Sequence, residues 1–263
     1  MNSSNPALND SVFSGTTFDR AELTDRSSLM TMQGTMAKTA IMLLAVTVSA
    51  TFTWQKVMTG IEGPGGAAAA MPWMLGGAIG GLVVGLIIGF KPKMAPSLAV
   101  PYALLQGLML GAISAFYALR FDAPGALGSG IVLQAVVLTF GTAFAMLGLY
   151  AFRIIRLTER MKSIIFAATG GIMLFYLISF VLGFFGVSMP LIHSAGPLGI
   201  AFSVFVVGLA AFNLLMDFEF IENGANGGAP KYMEWYGAFA LVVTLIWLYI
   251  EFLRLLAKMR SNE

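Results

Sequence analysis

The chain of 263 residues alternates seven long apolar segments with short polar connections. Each segment has about the 20 residues that an α-helix needs to cross the hydrocarbon core of a bilayer. Glycine and proline, which break helices, cluster in the connections. The pattern therefore predicts an all-α integral membrane protein, a seven-transmembrane-helix bundle. The predicted spans are 37–56, 69–90, 95–118, 128–152, 163–186, 196–218 and 232–256.

The first 36 residues differ from the rest because they are polar and rich in Ser, Thr and Asn. They contain neither the basic start nor the apolar core of a signal peptide. We interpret residues 1–36 as a flexible polar N-terminal tail on the cytoplasmic side. Residues 37–258 form the membrane domain in this interpretation, and residues 259–263 form a short C-terminal tail.

Basic residues predict the orientation, because they are enriched in the short cytoplasmic loops of membrane proteins. A cytoplasmic N-terminus places ten basic residues inside and five outside. The basic C-terminal end falls outside in this arrangement, so a re-entrant last segment with six true spans is an alternative. We favour seven spans, since 235–250 is too apolar to be inserted only partly. The densest basic cluster follows the fourth span and contains Arg153, Arg156, Arg160 and Lys162.

The composition agrees with a lipid bilayer as the surrounding partner and narrows the classes of function. Charged residues make up 11% of the chain, whereas soluble domains carry roughly 25%. A net charge of +2 without a basic block gives no indication of a nucleic-acid partner. Metal and catalytic sites need several converging groups, but the chain has no cysteine and a single histidine, His193. We therefore expect neither an enzyme nor a cofactor.

A glycine stripe follows one face of the second span, where Gly77, Gly81, Gly85 and Gly89 recur every four residues. Such a stripe lets a neighbouring helix approach closely, backbone to backbone. Two interpretations are open, tight packing alone and a sliding or gating seam.

Acids at the edges of the apolar segments are the candidate functional residues. No charged residue occurs in 163–216, and Asp217 then follows; Glu251 follows a second uncharged run, 235–250. Ionisable groups in membrane segments are costly and mark functional sites by default. The plainer alternatives are that Asp217 reaches water from its helix end and that Glu251 pairs with Arg254 on the same helix face.

Three further polar residues are candidate supporting groups for Asp217. Asn213 lies one turn before Asp217 on the same helix face, where an amide would hold the carboxyl in place. Gln106 is an amide within the third span, and Glu222 is an acid just after the sixth.

The residues around these acids resemble the Bax-inhibitor family of small multi-span membrane proteins, in particular its bacterial branch. DFEFI, residues 217–221, is similar to the family motif D-[TF]-x-x-I late in the sixth span. LYIEFL, residues 248–253, is similar to L-Y-[LV]-D-x-x-x-L-F in the last span, with Glu in place of Asp. The segment 102–114 resembles the family's third span. The resemblance covers about 37–258 and leaves out the N-terminal tail.

The resemblance implies a multi-pass protein of the bacterial inner membrane, with its last helix near the centre of the bundle. It also implies that Asp217 and Glu251 form a pH-sensitive pair that gates a calcium leak, since two close carboxylates in a low-dielectric site share a proton. Calcium would be the transported ion, and Asp217 would be a ligand if calcium binds. The basic partner of the pair would be Lys91 or Lys93.

The spacing of the acids along the chain does not decide whether Glu251 or Glu234 pairs with Asp217. Asp217 lies 7 residues before the connection 224–230, and Glu251 lies 21 residues after it. At 1.5 Å per residue these positions are roughly 10 Å and 30 Å deep. Glu234 lies only 4 residues after the connection and is closer in depth to Asp217. Motif similarity therefore selects Glu251, and simple geometry selects Glu234.

A function of another class is also open, a non-conducting membrane regulator that binds another membrane protein such as a quality-control protease. The long polar tail and the glycine stripe favour this alternative. A small-solute transporter is disfavoured, because the sequence shows no paired repeat or broken helix. The sequence does not indicate an oligomeric state.

Overall fold

A computed structural model describes residues 28–60, 70–122, 130–185 and 196–261. These ranges contain seven helices long and apolar enough to cross a membrane, which implies a lipid bilayer as their surroundings. The predicted seven-helix membrane fold is confirmed. The helices are α1 (Met32–Gly60), α2 (Met71–Phe90), α3 (Ala95–Phe121), α4 (Ile131–Ala151), α5 (Glu159–Phe184), α6 (Pro197–Asn226) and α7 (Met233–Arg260).

Several features discussed from the sequence lie outside the described residues. They are residues 1–27 of the predicted tail, most of the connection between the first two predicted spans, His193, and residues 262–263 at the C-terminus.

The described end of the predicted tail packs on the turn between α6 and α7. The backbone N–H of Met30 donates to the carbonyl oxygen of Ala229 at 2.7 Å, and α1 begins two residues later at Met32. We call this end of the bundle, with the start of α1 and the α6–α7 turn, the N-side. The opposite end, where α7 ends at Arg260, is the C-side.

α7 lies near the centre of the bundle, as the resemblance implied. It packs against α1, α3, α4 and α6, and its buried residues include Glu234, Glu251 and Lys258. The helix runs without a break for 28 residues, which is about 42 Å at 1.5 Å per residue. The alternative of a re-entrant last segment is therefore wrong.

The glycine stripe of α2 packs against α3. A Cβ atom on Gly77 would lie 2.6 Å from a backbone oxygen of α3, and one on Gly81 would lie 2.6 Å from the amide nitrogen of Gln106. Gly107 and Gly111 of α3 in turn lie against the backbone of α1. These glycines thus permit close helix packing, which favours the packing interpretation of the stripe.

Candidate functional site along the central helix

Three buried polar residues of α7 recur every seven positions. Thr244, Glu251 and Lys258 are 7%, 1% and 5% exposed. Seven residues are close to two helical turns, so all three lie on one face and follow each other at about 10 Å. Their hydrogen-bond partners belong to α5, to α6 or to α7 itself. We call this set the polar seam, and its residues are Asp217, Thr244, Tyr176, Glu251, Arg254, Ser203 and Lys258.

The first level of the polar seam joins α6 to α7. The hydroxyl of Thr244 donates to Oδ2 of Asp217 at 2.6 Å. Asp217 lies nine residues, or about 13 Å, inside the end of α6 at Asn226. Among the described residues no ion pair includes Asp217. Its carboxyl is thus held by a neutral hydroxyl.

The second level joins α5 to α7 around Glu251. Oε1 of Glu251 accepts hydrogen bonds from the hydroxyl of Tyr176 and from the guanidinium of Arg254, both at 2.8 Å. Oε2 is also buried, but no group of the described residues donates to it. Buried polar atoms nearly always have a partner, so this oxygen is a candidate ligand or proton acceptor.

The two acids of the proposed pair lie at separate levels. Asp217 bonds to Thr244, which lies seven residues and about 10 Å along α7 from Glu251. Glu251 is bound instead to Tyr176 and Arg254. The structure therefore does not bring Asp217 and Glu251 into contact, and the carboxyl pair is not formed.

The third level joins the C-side end of α7 to the start of α6. Nζ of Lys258 donates to the carbonyl oxygen of Gly199 at 2.8 Å and to the hydroxyl of Ser203 at 2.9 Å. Near the helix end, Arg260 pairs with Asp122 at 2.5 Å. A cytoplasmic N-terminus places the basic residues of this end on the outer side, where basic residues are less common. Here Arg254, Lys258 and Arg260 are all bonded to other groups of the protein.

Glu234, the alternative second acid, belongs to a different cluster at the N-side. Its carboxylate accepts from the N–H and hydroxyl of Thr31 at 2.9 and 2.8 Å. It also pairs with Lys38, and with Lys231 at 3.0 Å. Thr244 lies ten residues farther along α7, at about 15 Å. Glu234 therefore does not partner Asp217.

The predicted supporting residues bind elsewhere. The amide of Asn213 donates to the hydroxyl of Thr169 at 2.8 Å, so it links α6 to α5 and does not hold Asp217. Gln106 is buried in α3 against the glycine stripe. Glu222 accepts from Tyr150 and from Arg153 at the end of α4.

The predicted basic partners lie at the N-side surface. Lys91 and Lys93 are both exposed in the connection between α2 and α3. No ion pair in the described part of the chain includes either lysine. Nor do three or more His, Cys, Asp or Glu side chains converge as a metal site in the described ranges. Asp217 as a calcium ligand stays a prediction.

The acids of the polar seam were predicted from the sequence as site residues, but Thr244, Tyr176 and Lys258 were not. The seven-residue spacing of polar positions within the last apolar segment was a readable signal for two of them. Tyr176 gave no such signal, because its ring is apolar and it lies within an uncharged apolar run. Its role depends on how α5 packs beside α7.

A family model described as Bax inhibitor 1 like matches residues 5–261. The match is longer than the resemblance over 37–258, because it also includes most of the N-terminal segment. No curated protein and no solved structure matches the chain.

Proposed function

The chain belongs to the Bax inhibitor 1 like family, and we propose that it conducts a slow, proton-regulated leak of cations, with calcium as the transported ion. It acts as a membrane conductor rather than an enzyme, without a cofactor. Its location in this proposal is the bacterial inner membrane, with the N-terminus in the cytoplasm.

The polar seam is the observation that carries this proposal. Polar and ionisable residues inside membrane segments mark ion and proton pathways, because their burial in lipid is costly. Here three levels of polar contacts follow each other along one face of the central helix, from Asp217 to Lys258. They supply oxygen groups over about 21 Å of α7, from Thr244 to Lys258, and oxygen atoms are the ligands that hard cations prefer.

Asp217 is the proton-sensitive element of the proposal. An ionised carboxyl only accepts hydrogen bonds, whereas a protonated one also donates. Protonation therefore changes the contact with Thr244 and with it the packing of α6 on α7. The charged groups nearest on α6 are engaged at the N-side, where Glu219 pairs with Lys162 of α5 and Glu222 pairs with Arg153.

The two gating acids of the proposal act at separate levels. Asp217 responds to protons through its contact with Thr244, whereas Glu251 acts by holding Arg254 and Tyr176. This arrangement keeps both acids in the pathway but replaces the shared proton of a carboxyl pair with two separate contacts.

Liposomes that contain the protein and a calcium dye test the proposal. Wild type is expected to leak calcium at a rate that changes between acid and neutral pH. Asp217→Asn should leak at a rate that no longer depends on pH, because its side chain cannot ionise. Glu222→Gln is the matched control on α6 and should keep the wild-type profile. Equal flux from wild type and Asp217→Asn at both pH values would overturn the proposal.

The alternative, a non-conducting regulator, has less support in the geometry. Gly77, Gly81 and Gly85 of the glycine stripe lie against α3 and so are not free for a partner, whereas Gly89 has no neighbour within 4 Å among the described residues. The N-terminal segment remains as the candidate binding element. Deletion of residues 1–27 keeps the contact of Met30 with Ala229, and this alternative expects it to abolish co-purification of a membrane partner while the fold persists.

A further inference from the structure

Arg254 is a fixed positive charge inside the C-side half of the bundle. Its guanidinium donates to Glu251 at 2.8 Å and to the hydroxyl of Tyr176 at 2.6 Å. It also lies over the ring of Tyr176, with 4.8 Å between the guanidinium carbon and the ring centroid. Arg254 lies six residues before the end of α7, which places it about 9 Å inside the helix end.

The charges along the polar seam are unequal in its two halves. The C-side half contains two cations, Arg254 and Lys258, and the one acid Glu251. Lys258 donates only to neutral oxygens, and among the described residues it forms no ion pair with an acid. The half near the N-side contains Asp217 without a basic partner. A cation that entered from the N-side would therefore meet a carboxyl first and a net positive charge next.

Glu251 would serve as a cation ligand if its arginine moved away. Arg254 and Tyr176 both bind Oε1, while Oε2 is buried without a donor among the described residues. A carboxylate that loses a paired guanidinium in a low-dielectric site attracts another cation strongly. The same site thus repels cations with Arg254 in place and attracts them with Arg254 withdrawn.

We propose that Arg254 is an electrostatic plug, clamped by Glu251 and Tyr176, that closes the C-side half of the polar seam to cations. Fixed arginines exclude cations from other membrane pores in the same way. The plug rests on the proposed function, and it adds a second gate in series with Asp217. Thr244, which binds Asp217, is ten residues from Arg254 along α7, so the two gates are about 15 Å apart.

Calcium flux from liposomes gives the first test. Arg254→Gln should leak faster than wild type, because the barrier charge is gone. Glu251→Gln should leak more slowly, because the charge of Arg254 is then uncompensated. Removal of one partner of a buried pair can unfold a protein, so Glu251→Gln/Arg254→Gln is included as a neutral variant. This double variant has the same net charge in the C-side half as wild type, so its rate should lie between those of the two single variants.

Arg260→Gln is the matched control for the flux test. Arg260 is a basic residue of the same helix whose acid partner, Asp122, lies at the C-side end. Its substitution should leave the rate unchanged. Where wild type conducts, a rate for folded Arg254→Gln at or below wild type, or a double variant no faster than Glu251→Gln, would overturn the plug and leave the leak itself intact.

A cysteine probe tests the plug without relying on conduction. The chain has no cysteine, so Thr169→Cys introduces a single thiol on α5, seven residues before Tyr176 and between the two gates. A cationic methanethiosulfonate reagent is added to each side of sealed vesicles in turn. Arg254→Gln should accelerate modification from the C-side only.

The two tests separate the failure of the plug from the failure of the proposed function. If wild type and every variant conduct no calcium, the leak is wrong, and the cysteine probe still decides whether Arg254 closes the C-side. An unchanged C-side modification rate in the Arg254→Gln background overturns the plug whatever the flux shows. Faster modification together with faster flux supports both.

Discussion

Three carboxyl groups of α6 and α7 lie at three depths and have three kinds of partner. Glu234 is surrounded by Thr31 and two lysines, Asp217 meets one hydroxyl, and Glu251 shares one oxygen between an arginine and a tyrosine. A buried charge is tolerated only when it is paired and hydrogen bonded. Glu234 is therefore suited to hold the bundle together, while the other two are suited to change state.

Glu234→Gln should lower the stability of the protein more than other acid-to-amide changes. It removes one partner of a buried ion pair with Lys38, a change that typically costs about 3–5 kcal/mol. Glu159→Gln is the control, because Glu159 is 89% exposed in its pair with Lys162 and such surface pairs contribute about 0–1 kcal/mol. Thermal unfolding in detergent measures both, and equal melting temperatures for the two variants would contradict the structural role.

Thr244→Val should change the pH profile of the calcium leak. Valine has the shape of threonine but no hydroxyl, so Asp217 loses the hydrogen bond that joins it to α7. Thr244→Ser keeps the hydroxyl and should retain the wild-type profile. Flux across a pH series measures both variants, and a wild-type profile for Thr244→Val would show that this contact does not regulate the leak.

At the scale of the helices, the sequence predicted the apolar centres well and the ends less well. α6 was predicted to end at 218 but continues to Asn226. Its added turns contain Glu219 and Glu222, which read as a polar connection, yet both acids pair with basic residues of neighbouring elements. The hydropathy of a segment does not predict such ion pairs, because the two partners are distant in the chain.

The start of α1 shows the same limit. The span was predicted from 37, but the helix begins at Met32. The hydroxyl of Thr31 accepts from the backbone N–H of Gly34 at 3.0 Å, which is how a threonine stabilises a helix start. The extra turn, MQGTM, mixes two methionines with Gln, Gly and Thr, so it does not continue the apolar run from which the span was predicted.

Gly107→Ala should separate α1 from α3. A Cβ atom at this position would collide with the hydroxyl of Ser49 and the carbonyl oxygen of Val46, and such overpacking typically costs about 1–3 kcal/mol. Gly170→Ala in α5 is the matched control, because its Cβ would meet no atom of the described residues within 4 Å. Alanine in a helix interior is up to about 1 kcal/mol better than glycine, so this variant should melt at the wild-type temperature or above it. A higher melting temperature for Gly107→Ala would contradict the packing.

For the whole molecule, the lengths of the apolar segments predicted the seven-helix fold but not the contacts of the candidate site. Each candidate acid was identified from the sequence by itself. Their partners Thr244 and Tyr176 were not assigned, because pairing depends on the rotation and depth of helices in the bundle. Asp217 and Glu251 lie at separate depths, as their spacing in the sequence predicted, but Glu234 does not lie beside Asp217 as the same spacing suggested.

The orientation of the whole bundle can be tested with single cysteines. Seven spans place the two ends of the membrane domain on opposite sides. With a cytoplasmic N-terminus, Ser261→Cys at the C-side should react with an impermeant maleimide in intact cells. Lys93→Cys, exposed at the N-side, should react only after the membrane is disrupted. The reverse pattern would contradict the proposed orientation.

The most direct measurement for the central claim is calcium flux through liposomes that contain wild type or Asp217→Asn, at acid and at neutral pH. The account predicts that wild type changes its rate between the two conditions and that Asp217→Asn has one rate in both. A wild-type rate equal to that of empty liposomes, or the same pH response in both proteins, would contradict it.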